Sequence, residues 1–217
     1  MNAVLTMDGL TTSHDETRFA RPPRKVAAVS DDEDAQLMLA YAGGEMRAFE
    51  TLYSRHRSAL YRYLMRQVRD GEIANDLFQE VWSRVVVNRA RYEPRAKFRT
   101  FLFTLAHNCF IDHCRRMRVR PSGLGIEDAD AADLLPADES ARPDHALARS
   151  EESSRYRAAL AALPAEQRDV YLLHEESDLS LEEIARVTGV GAETAKSRLR
   201  YAVNKLKAAL SPREETA

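Results

Sequence analysis

The sequence predicts an all-α protein with two small helical domains joined by an acidic flexible linker, the second domain containing a helix-turn-helix. Apolar residues recur at steps of three and four over long stretches, which is the period of a helix with one buried face. The charge changes from basic to acidic and back to basic along the chain. Near the C-terminal end, a helix-start signal followed by a glycine turn predicts the helix-turn-helix.

Changes in composition set the predicted domain boundaries. A first stretch without periodicity predicts disorder, and a stretch rich in Pro, Ala and Asp predicts the linker. The predicted organisation is a disordered N-terminal segment (1–33), a first domain (34–120), the linker (121–146), a second domain (147–210) and a tail (211–217).

The net charge of −2 conceals a strong division along the chain. Residues 95–120 contain seven Lys or Arg and one Asp, whereas residues 121–145 contain seven Asp or Glu and one Arg. Two cationic segments on either side of an acidic connector predict two domains that bind a polyanion and a tether that repels it.

Three helices are predicted in the first domain. The apolar stripe of the first consists of Phe49, Leu52, Tyr53, His56, Leu60 and Leu64. The second follows Asp70-Gly71 and has a polar face made of Glu72, Asp76, Gln79, Glu80 and Ser83. The third runs over residues 98–118, with a buried stripe made of Phe98, Phe101, Leu102, Leu105 and Cys109. From periodicity alone, the acidic face is most simply a solvated surface, and His56 a packed, hydrogen-bonded histidine rather than a ligand.

A basic loop over residues 88–97 precedes the third helix. The polar side chains of that helix are Arg99, Asn108, Asp112, Arg115 and Arg116. Single-stranded nucleic acid binding requires cations for the phosphates and flat rings for an unstacked base, and this part of the chain offers both. Core packing is the simpler interpretation of the aromatic residues.

The second domain begins with two helices separated at Pro164, a residue that suits the first turn of the second of them. Ser180 and Glu183 then have the spacing of a capping box, and Gly189 permits a tight turn. In the last helix the predicted buried side consists of Ala195, Leu199, Ala202 and Leu206, and the outward side of Glu193, Lys196, Ser197 and Arg200. A helix of this kind enters the major groove of DNA, and the simpler alternative is a solvated basic helix.

The sequence disfavours several other kinds of protein. A zinc site is not expected, because His107, Cys109, His113 and Cys114 would radiate around one helix. For the same reason the two cysteines are not expected to form a disulfide with each other. No apolar run approaches the roughly 18 residues of a membrane span, and no signal peptide is found, so we expect a cytoplasmic protein without metal or cofactor.

Three motifs, in order, resemble bacterial RNA polymerase sigma factors of the extracytoplasmic-function type. The polymerase-binding part of that family's first domain is similar to AFETLYSRHRSALYRYL followed by ANDLFQEVWSRV. The family's promoter-melting and minus-ten helix is similar to FRTFLFTLAHNCFIDHCRR. Its second domain is similar to LPAEQRDVYLLHEESDLSLEEIARVTGVGAETAKSRLRYAVNKL. The resemblance extends over residues 34–210, apart from much of the linker.

The resemblance implies a protein without enzymatic activity that binds core RNA polymerase and directs promoter recognition. The residues implied to dock on the clamp helices of the largest subunit are Asp76, Gln79 and Glu80. The implied minus-ten contacts are Arg99, Asn108, Arg115 and Arg116, and the implied minus-thirty-five contacts are Thr194, Lys196, Ser197 and Arg200. The other surface of the second domain would meet the flap of the second-largest subunit.

The chain departs from the family pattern at three places. An acidic quartet, Asp-Ala-Glu-Asp, is usual where this chain has Ile73-Ala74-Asn75-Asp76. Phe101 replaces a common tryptophan, and His107 a frequent arginine. The two missing carboxylates lead us to hypothesise weak polymerase binding until a phosphate adds about −1.5 to −2 charges. Thr51 is the candidate acceptor for a Ser/Thr kinase, and an anti-sigma factor is the other form of control considered.

Two other functions are weighed against this one. A helix-turn-helix regulator that never engages polymerase would need a ligand pocket or a dimer surface in the first domain. A metal-dependent nucleic-acid enzyme would draw on Asp112, His107 and His113, but the sequence offers it no paired carboxylates and no metal-ligand spacing.

Overall fold

The computed structural model describes residues 32–119 and 143–211, with side chains described for 32–117 and 151–211. These residues form α-helices and one 3-10 turn, and contain no strand. The helices are α1 (Glu33–Ala42), α2 (Met46–Val68), α3 (Gly71–Asn88), α4 (Phe98–Val119), α5 (Pro143–Ala161), α6 (Ala165–Ser177), α7 (Leu181–Thr188) and α8 (Ala192–Leu210), with the 3-10 turn at Arg89–Arg91. Most of the predicted N-terminal segment, linker and tail lies outside the described residues, so the domain boundaries stay predictions. The break before α6 is observed as predicted, but Pro164 is the N-cap of that helix rather than part of its first turn.

Polar side chains fix where two of the predicted helices begin. The first N–H groups of a helix have no partner within the helix, so a side-chain acceptor stabilises its start. Asp70 accepts hydrogen bonds from the backbone N–H groups of Glu72 and Ile73, at 2.9 and 3.0 Å, and caps α3. The start of α4 is capped from a distant part of the chain, because Asp32 accepts a 2.7 Å hydrogen bond from the backbone N–H of Phe98.

Helix α1 is not among the predicted helices. It buries Ala35, Met38 and Tyr41 against the neighbouring helices. Its Asp34 carboxylate lies 2.7 Å from both Nε2 of His56 and Nη1 of Arg55, which are on α2. His56 is 1% exposed, so it is the packed, hydrogen-bonded histidine that the periodicity predicts.

Helices α1 to α4 form the first half of the described chain and share one core. Among its fully buried side chains are Leu52, Leu60, Tyr63, Leu64, Val81, Val85, Phe98, Leu102 and Phe103. The predicted stripe of α4 is partly wrong, because Phe101 and Leu105 are only half-buried whereas Phe103 and Ala106 are fully buried. The reason is that α4 is covered on more than one side, by α1, α2 and α3 and also by α7.

Helices α5 to α8 form the second half and contain the predicted helix-turn-helix. Ser180 and Glu183 make the capping box at the start of α7, and Gly189 ends that helix with a φ of 68°. On α8, Ala195, Ala202 and Leu206 are buried as predicted, whereas Leu199 is only half-buried. The two helices therefore pack through the small and apolar residues that their sequence places inward.

The two halves lie against each other. Helix α2 packs on α6, and α4 packs on α7. The sequence predicts two tethered domains, but it contains no indication that they make this contact.

Candidate functional site

The implied polymerase-docking residues lie on one face of α3. Asp76 and Gln79 are exposed, whereas Glu80 is half-buried. The Glu80 carboxylate lies 2.6 Å from a guanidinium nitrogen of Arg84 and 3.6 Å from one of Arg116. Two arginines of the chain therefore partly compensate the negative charge of this face. The face also lacks two carboxylates that the family usually has.

A groove of about 440 Å³ lies between the basic loop and α4. Its lining residues are Asn88, Arg91, Tyr92, Glu93, Arg95, Phe101 and Leu105. This explains why Phe101 and Leu105 are not fully buried: they form one wall of the groove. Tyr92 and Phe101 pack edge to face, with their ring centroids 5.1 Å apart.

The Tyr92 hydroxyl is buried and has no hydrogen-bond partner among the residues that the structure describes. Burial, together with the nearby carboxylates of Asp32 and Asp34, raises the pKa of Tyr92 to about 12. The hydroxyl therefore stays protonated at neutral pH and remains a hydrogen-bond donor.

The implied minus-ten residues fall into two groups. Asn108, Arg115 and Arg116 are exposed on the outer side of α4. Arg115 lies 3.6 Å from Asp112, and Arg116 is the residue paired with Glu80. Arg99 is instead directed at the second half of the chain, where its Nη1 donates to the backbone oxygen of Ser177 at 3.2 Å.

The implied minus-thirty-five residues share the outward side of α8. Thr194, Lys196 and Arg200 are exposed, and Ser197 is half-buried. The Arg200 guanidinium lies over the ring of Tyr201, 5.3 Å from its centroid, so a cation–π contact orients it. Exposed donors on the first turns of the second helix have the arrangement that reading a major groove requires.

Thr51, the candidate phosphorylation site, lies on α2. Its side chain is half-buried, and its hydroxyl donates a 3.0 Å hydrogen bond to the backbone oxygen of Arg47 one turn earlier. The hydroxyl would have to leave this bond to accept a phosphate.

Helix α4 contains His107, Cys109, His113 and Cys114. Cys109 is buried, Cys114 is half-buried, and neither is part of a disulfide. Burial raises the pKa of the Cys109 thiol to about 11, so this thiol is protonated at neutral pH. In the part of the chain with described side chains, no group of three or more His, Cys, Asp or Glu is placed to hold a metal ion. Within residues 32–119 and 143–211, every helix is too short or too polar to cross a bilayer.

Sequence reasoning missed the buried carboxylates between the two halves. Asp169 is 6% exposed and accepts hydrogen bonds from the Tyr63 hydroxyl, at 2.8 Å, and from the Gln67 amide, at 2.7 Å. An available indication was its position on α6, three and four residues before the buried Leu172 and Leu173, because that spacing puts a charged residue on an apolar stripe.

Comparison with known proteins gives a consistent result for both halves. A family model described as Sigma-70 region 2 matches residues 52–120, and one described as Sigma-70, region 4 matches residues 153–206. The RNA polymerase sigma factor CarQ of Myxococcus xanthus is 32% identical over 82% of this chain and 97% of its own length. The ECF RNA polymerase sigma factor SigC of Mycobacterium tuberculosis (strain CDC 1551 / Oshkosh) is 30% identical over 88% of this chain and 98% of its own length.

Solved structures support the fold. The structure of CnrH in complex with the cytosolic domain of CnrY aligns with a TM-score of 0.61 and 24% identity, over 82% of this chain and 97% of that one. The sigma factor RpoE of Bartonella quintana, in complex with the anti-sigma factor NepR, aligns with a TM-score of 0.56 and 22% identity, over 76% of this chain and 98% of that one. These matches favour a sigma factor over the two alternatives, which are a helix-turn-helix regulator that does not bind polymerase and a metal-dependent enzyme. The chain belongs to the RNA polymerase sigma factors of the extracytoplasmic-function type, with sigma-70 regions 2 and 4, and is a transcription initiation factor rather than an enzyme.

Proposed function

We propose a division of labour between region 2, here α1 to α4, and region 4, here α5 to α8. Region 2 docks on the clamp helices of core RNA polymerase through Asp76, Gln79 and Glu80 and holds the opened minus-ten strand. Region 4 reads the minus-thirty-five duplex with α8 and meets the flap of the second-largest subunit with its other surface.

The groove beside α4 is the observation that carries this proposal. It combines the aromatic rings of Tyr92 and Phe101 with the guanidinium groups of Arg91 and Arg95. A base that has left the duplex can stack on a ring and accept a hydrogen bond, while guanidinium groups attract its phosphates. Asn108, Arg115 and Arg116, exposed on the same helix, would continue the path of the strand.

Region 4 contributes the duplex contact. Lys196 and Arg200 can donate to guanine edges or phosphates, and Thr194 and Ser197 are small enough to allow close approach of the backbone. Each region alone offers few contacts, but polymerase fixes their separation, so the two weak contacts add up. Melting follows if region 2 binds the opened strand better than the duplex.

Run-off transcription with purified core RNA polymerase on candidate promoters tests this function. We expect promoter-specific transcripts with the wild-type protein and roughly tenfold fewer with Lys196→Ala, because a good base contact contributes about 1 to 3 kcal/mol. Lys205→Ala is the matched control, since Lys205 is an exposed lysine of the same helix outside the proposed contact set. Absence of promoter-specific transcripts from the wild type, or an equal loss in both variants, would contradict the proposal.

An anti-sigma factor is a proposed partner. Two structurally similar proteins have been solved with a bound partner: CnrH with the cytosolic domain of CnrY, and RpoE with the anti-sigma factor NepR. Those partners belong to the other proteins, and they motivate a search for a comparable inhibitor here. Co-purification of the full-length chain from its own cells, followed by identification of bound proteins, tests this.

Phosphorylation of Thr51 stays a prediction. Neither the hydrogen bond of the Thr51 hydroxyl nor its position on α2 favours modification. A kinase-dependent chain would bind core polymerase more tightly as Thr51→Glu than as Thr51→Ala. Equal binding by wild type, Thr51→Ala and Thr51→Glu would end the hypothesis.

A further inference from the structure

An exposed aromatic ring lies on the helix that is proposed to read the minus-thirty-five duplex. Among the large hydrophobic side chains that are exposed in the described part of the chain, Tyr201 is the aromatic one, and it is 51% exposed. It lies on α8 seven residues after Thr194, which is about two helical turns and therefore the same side of the helix. The proposed function gives Tyr201 no role.

The cations of this helix differ in what holds them. Lys196 and Arg198 each lie near a carboxylate, at 3.8 and 2.9 Å. Arg200 instead lies over the Tyr201 ring, with its guanidinium carbon 5.3 Å from the centroid of the ring. Among the residues with described side chains, no carboxylate pairs with Arg200. The neighbouring ring is therefore the group that orients this guanidinium.

A ring holds a guanidinium differently from a carboxylate. The face of an aromatic ring attracts a cation through its quadrupole, but the ring has no net charge. Arg200 therefore keeps its full positive charge, and its N–H groups donate to no oxygen of the described residues. A carboxylate would neutralise the guanidinium, and a phosphate or a base edge would have to displace it. The contact with Tyr201 restricts Arg200 and leaves its donors available.

This restriction favours binding because of side-chain entropy. An arginine side chain samples many rotamers in water and loses most of them when its guanidinium binds. A ring that already confines the guanidinium reduces this loss, which is the general effect of preorganisation. A tyrosine has only two χ angles, so Tyr201 itself loses little freedom in holding the longer side chain.

We propose that Tyr201 is a positioning residue of the minus-thirty-five contact, whose ring holds the Arg200 guanidinium ready for a phosphate or a guanine edge of the duplex. This inference rests on the proposed function, because Arg200 is a proposed duplex contact. Tyr201 acts through Arg200 and makes no contact of its own with the DNA. The effect of Tyr201 on binding should therefore exist only while Arg200 is present.

Tyr201→Leu is the test variant, because leucine keeps an apolar side chain without an aromatic face. Tyr201→Phe is the matched control, since it removes the hydroxyl and keeps the ring. Arg200→Ala, alone and combined with Tyr201→Leu, completes a double-mutant cycle. Circular dichroism of each variant reports whether its helices are intact.

Each full-length variant is assembled with core RNA polymerase and titrated against a fluorescent promoter duplex, which is selected by run-off transcription with the wild type. Fluorescence anisotropy gives the dissociation constant. The same titrations on duplexes with single base-pair changes in the minus-thirty-five element give the base preference of each variant.

We expect Tyr201→Leu to weaken binding about two- to fivefold, which is the size of an exposed cation–π contact. Tyr201→Phe should retain the wild-type affinity, because the ring face remains. Arg200→Ala should weaken binding about tenfold, and adding Tyr201→Leu to it should have no further effect. Across the changed duplexes, Tyr201→Leu should show the same pattern of affinity loss as Arg200→Ala, with a smaller amplitude.

Equal affinities of Tyr201→Leu and the wild type would overturn the positioning role and leave the proposed function standing. A loss in Tyr201→Leu that persists in the Arg200→Ala background would also overturn it, because the ring would then contact the DNA itself. Equal losses in Tyr201→Leu and Tyr201→Phe would overturn it as well, since they would assign the effect to the hydroxyl. Wild-type affinity in Arg200→Ala would instead contradict the proposed role of Arg200 in reading the duplex, and the positioning role would fall with it.

Discussion

At the scale of single residues, Asp34 is the carboxylate that joins α1 to α2. Burial alone would raise its pKa, but hydrogen bonds from His56 and Arg55 outweigh burial and lower that pKa from its ordinary value of 3.8. A carboxylate with a lowered folded-state pKa stabilises the fold fully above the ordinary value, and that contribution disappears as the pH falls through the folded-state pKa.

Asp34→Asn should therefore lower the free energy of unfolding by about 1 to 3 kcal/mol at pH 7, since it leaves the buried His56 and the exposed Arg55 without this charged acceptor. The difference from wild type should shrink as the pH falls below 3.8. Urea unfolding at several pH values measures this. Glu33→Gln is the control, because the Glu33 side chain is 82% exposed and its loss should change little. An Asp34→Asn effect that does not depend on pH would contradict this account.

Two buried tyrosines give opposite expectations for the same chemical change. Among the described residues the Tyr92 hydroxyl has no partner, so Tyr92→Phe should leave the free energy of unfolding unchanged or raise it by up to about 1 kcal/mol. The Tyr63 hydroxyl donates to Asp169, so Tyr63→Phe should lower it by about 1 to 3 kcal/mol. Equal effects in a denaturation experiment would mean that the Tyr92 hydroxyl is satisfied.

At the scale of helices, the turn between α7 and α8 depends on a glycine in the left-handed region. Gly189 has a φ of 68°, and an alanine there would be strained even though a Cβ would meet nothing within 4 Å. Gly189→Ala should lower the free energy of unfolding by about 1 kcal/mol or more. Gly71→Ala, in the first turn of α3 and equally open, should raise it by about 0.4 to 1 kcal/mol. Thermal denaturation of the two variants checks the sign, and a stabilised Gly189→Ala would contradict the turn geometry.

The acidic face of α3 lacks a carboxylate at positions 73 and 75, and only position 75 can take one without disturbing the fold. Asn75 is exposed, whereas Ile73 packs against the core. Asn75→Glu should strengthen binding to core RNA polymerase by about 0.2 to 1 kcal/mol, the contribution of an exposed charge pair. Asn75→Gln controls for the size of the side chain. Surface plasmon resonance against immobilised core polymerase measures the difference, and equal affinities would argue against charge complementarity at this face.

Most helices could be predicted from the sequence because a buried stripe leaves a period of three and four, as in α2, α3 and α8. Local starts were also predictable, since the Ser180 and Glu183 capping box depends on residues three apart. Helix α1 was not predicted because the residues that stabilise it are distant in the sequence. His56 and Arg55 form hydrogen bonds with its Asp34 carboxylate. The half-burial of Phe101 likewise follows from the groove, which needs the fold of the loop before α4.

At the scale of the whole molecule, the contact between the two regions could not be predicted. Asp169 and Glu176 look like ordinary polar residues of a helix until α2 provides their partners. Composition divides the chain into basic, acidic and basic segments and so predicts separate domains. Pairing between particular charges on α2 and α6 requires the three-dimensional arrangement. The roles of the site residues were accessible only through resemblance, because periodicity alone makes the α3 face a solvated surface.

The central claim is that core RNA polymerase fixes the separation of regions 2 and 4, so that their two weak promoter contacts add up. The distance between regions 2 and 4 measures this most directly, with fluorophores on Val87→Cys of α3 and Lys205→Cys of α8, both exposed positions, in a Cys114→Ser background. As core polymerase is titrated, we predict a single distance, reached when the polymerase sites are filled. A broad distribution of distances at saturating polymerase would contradict the account.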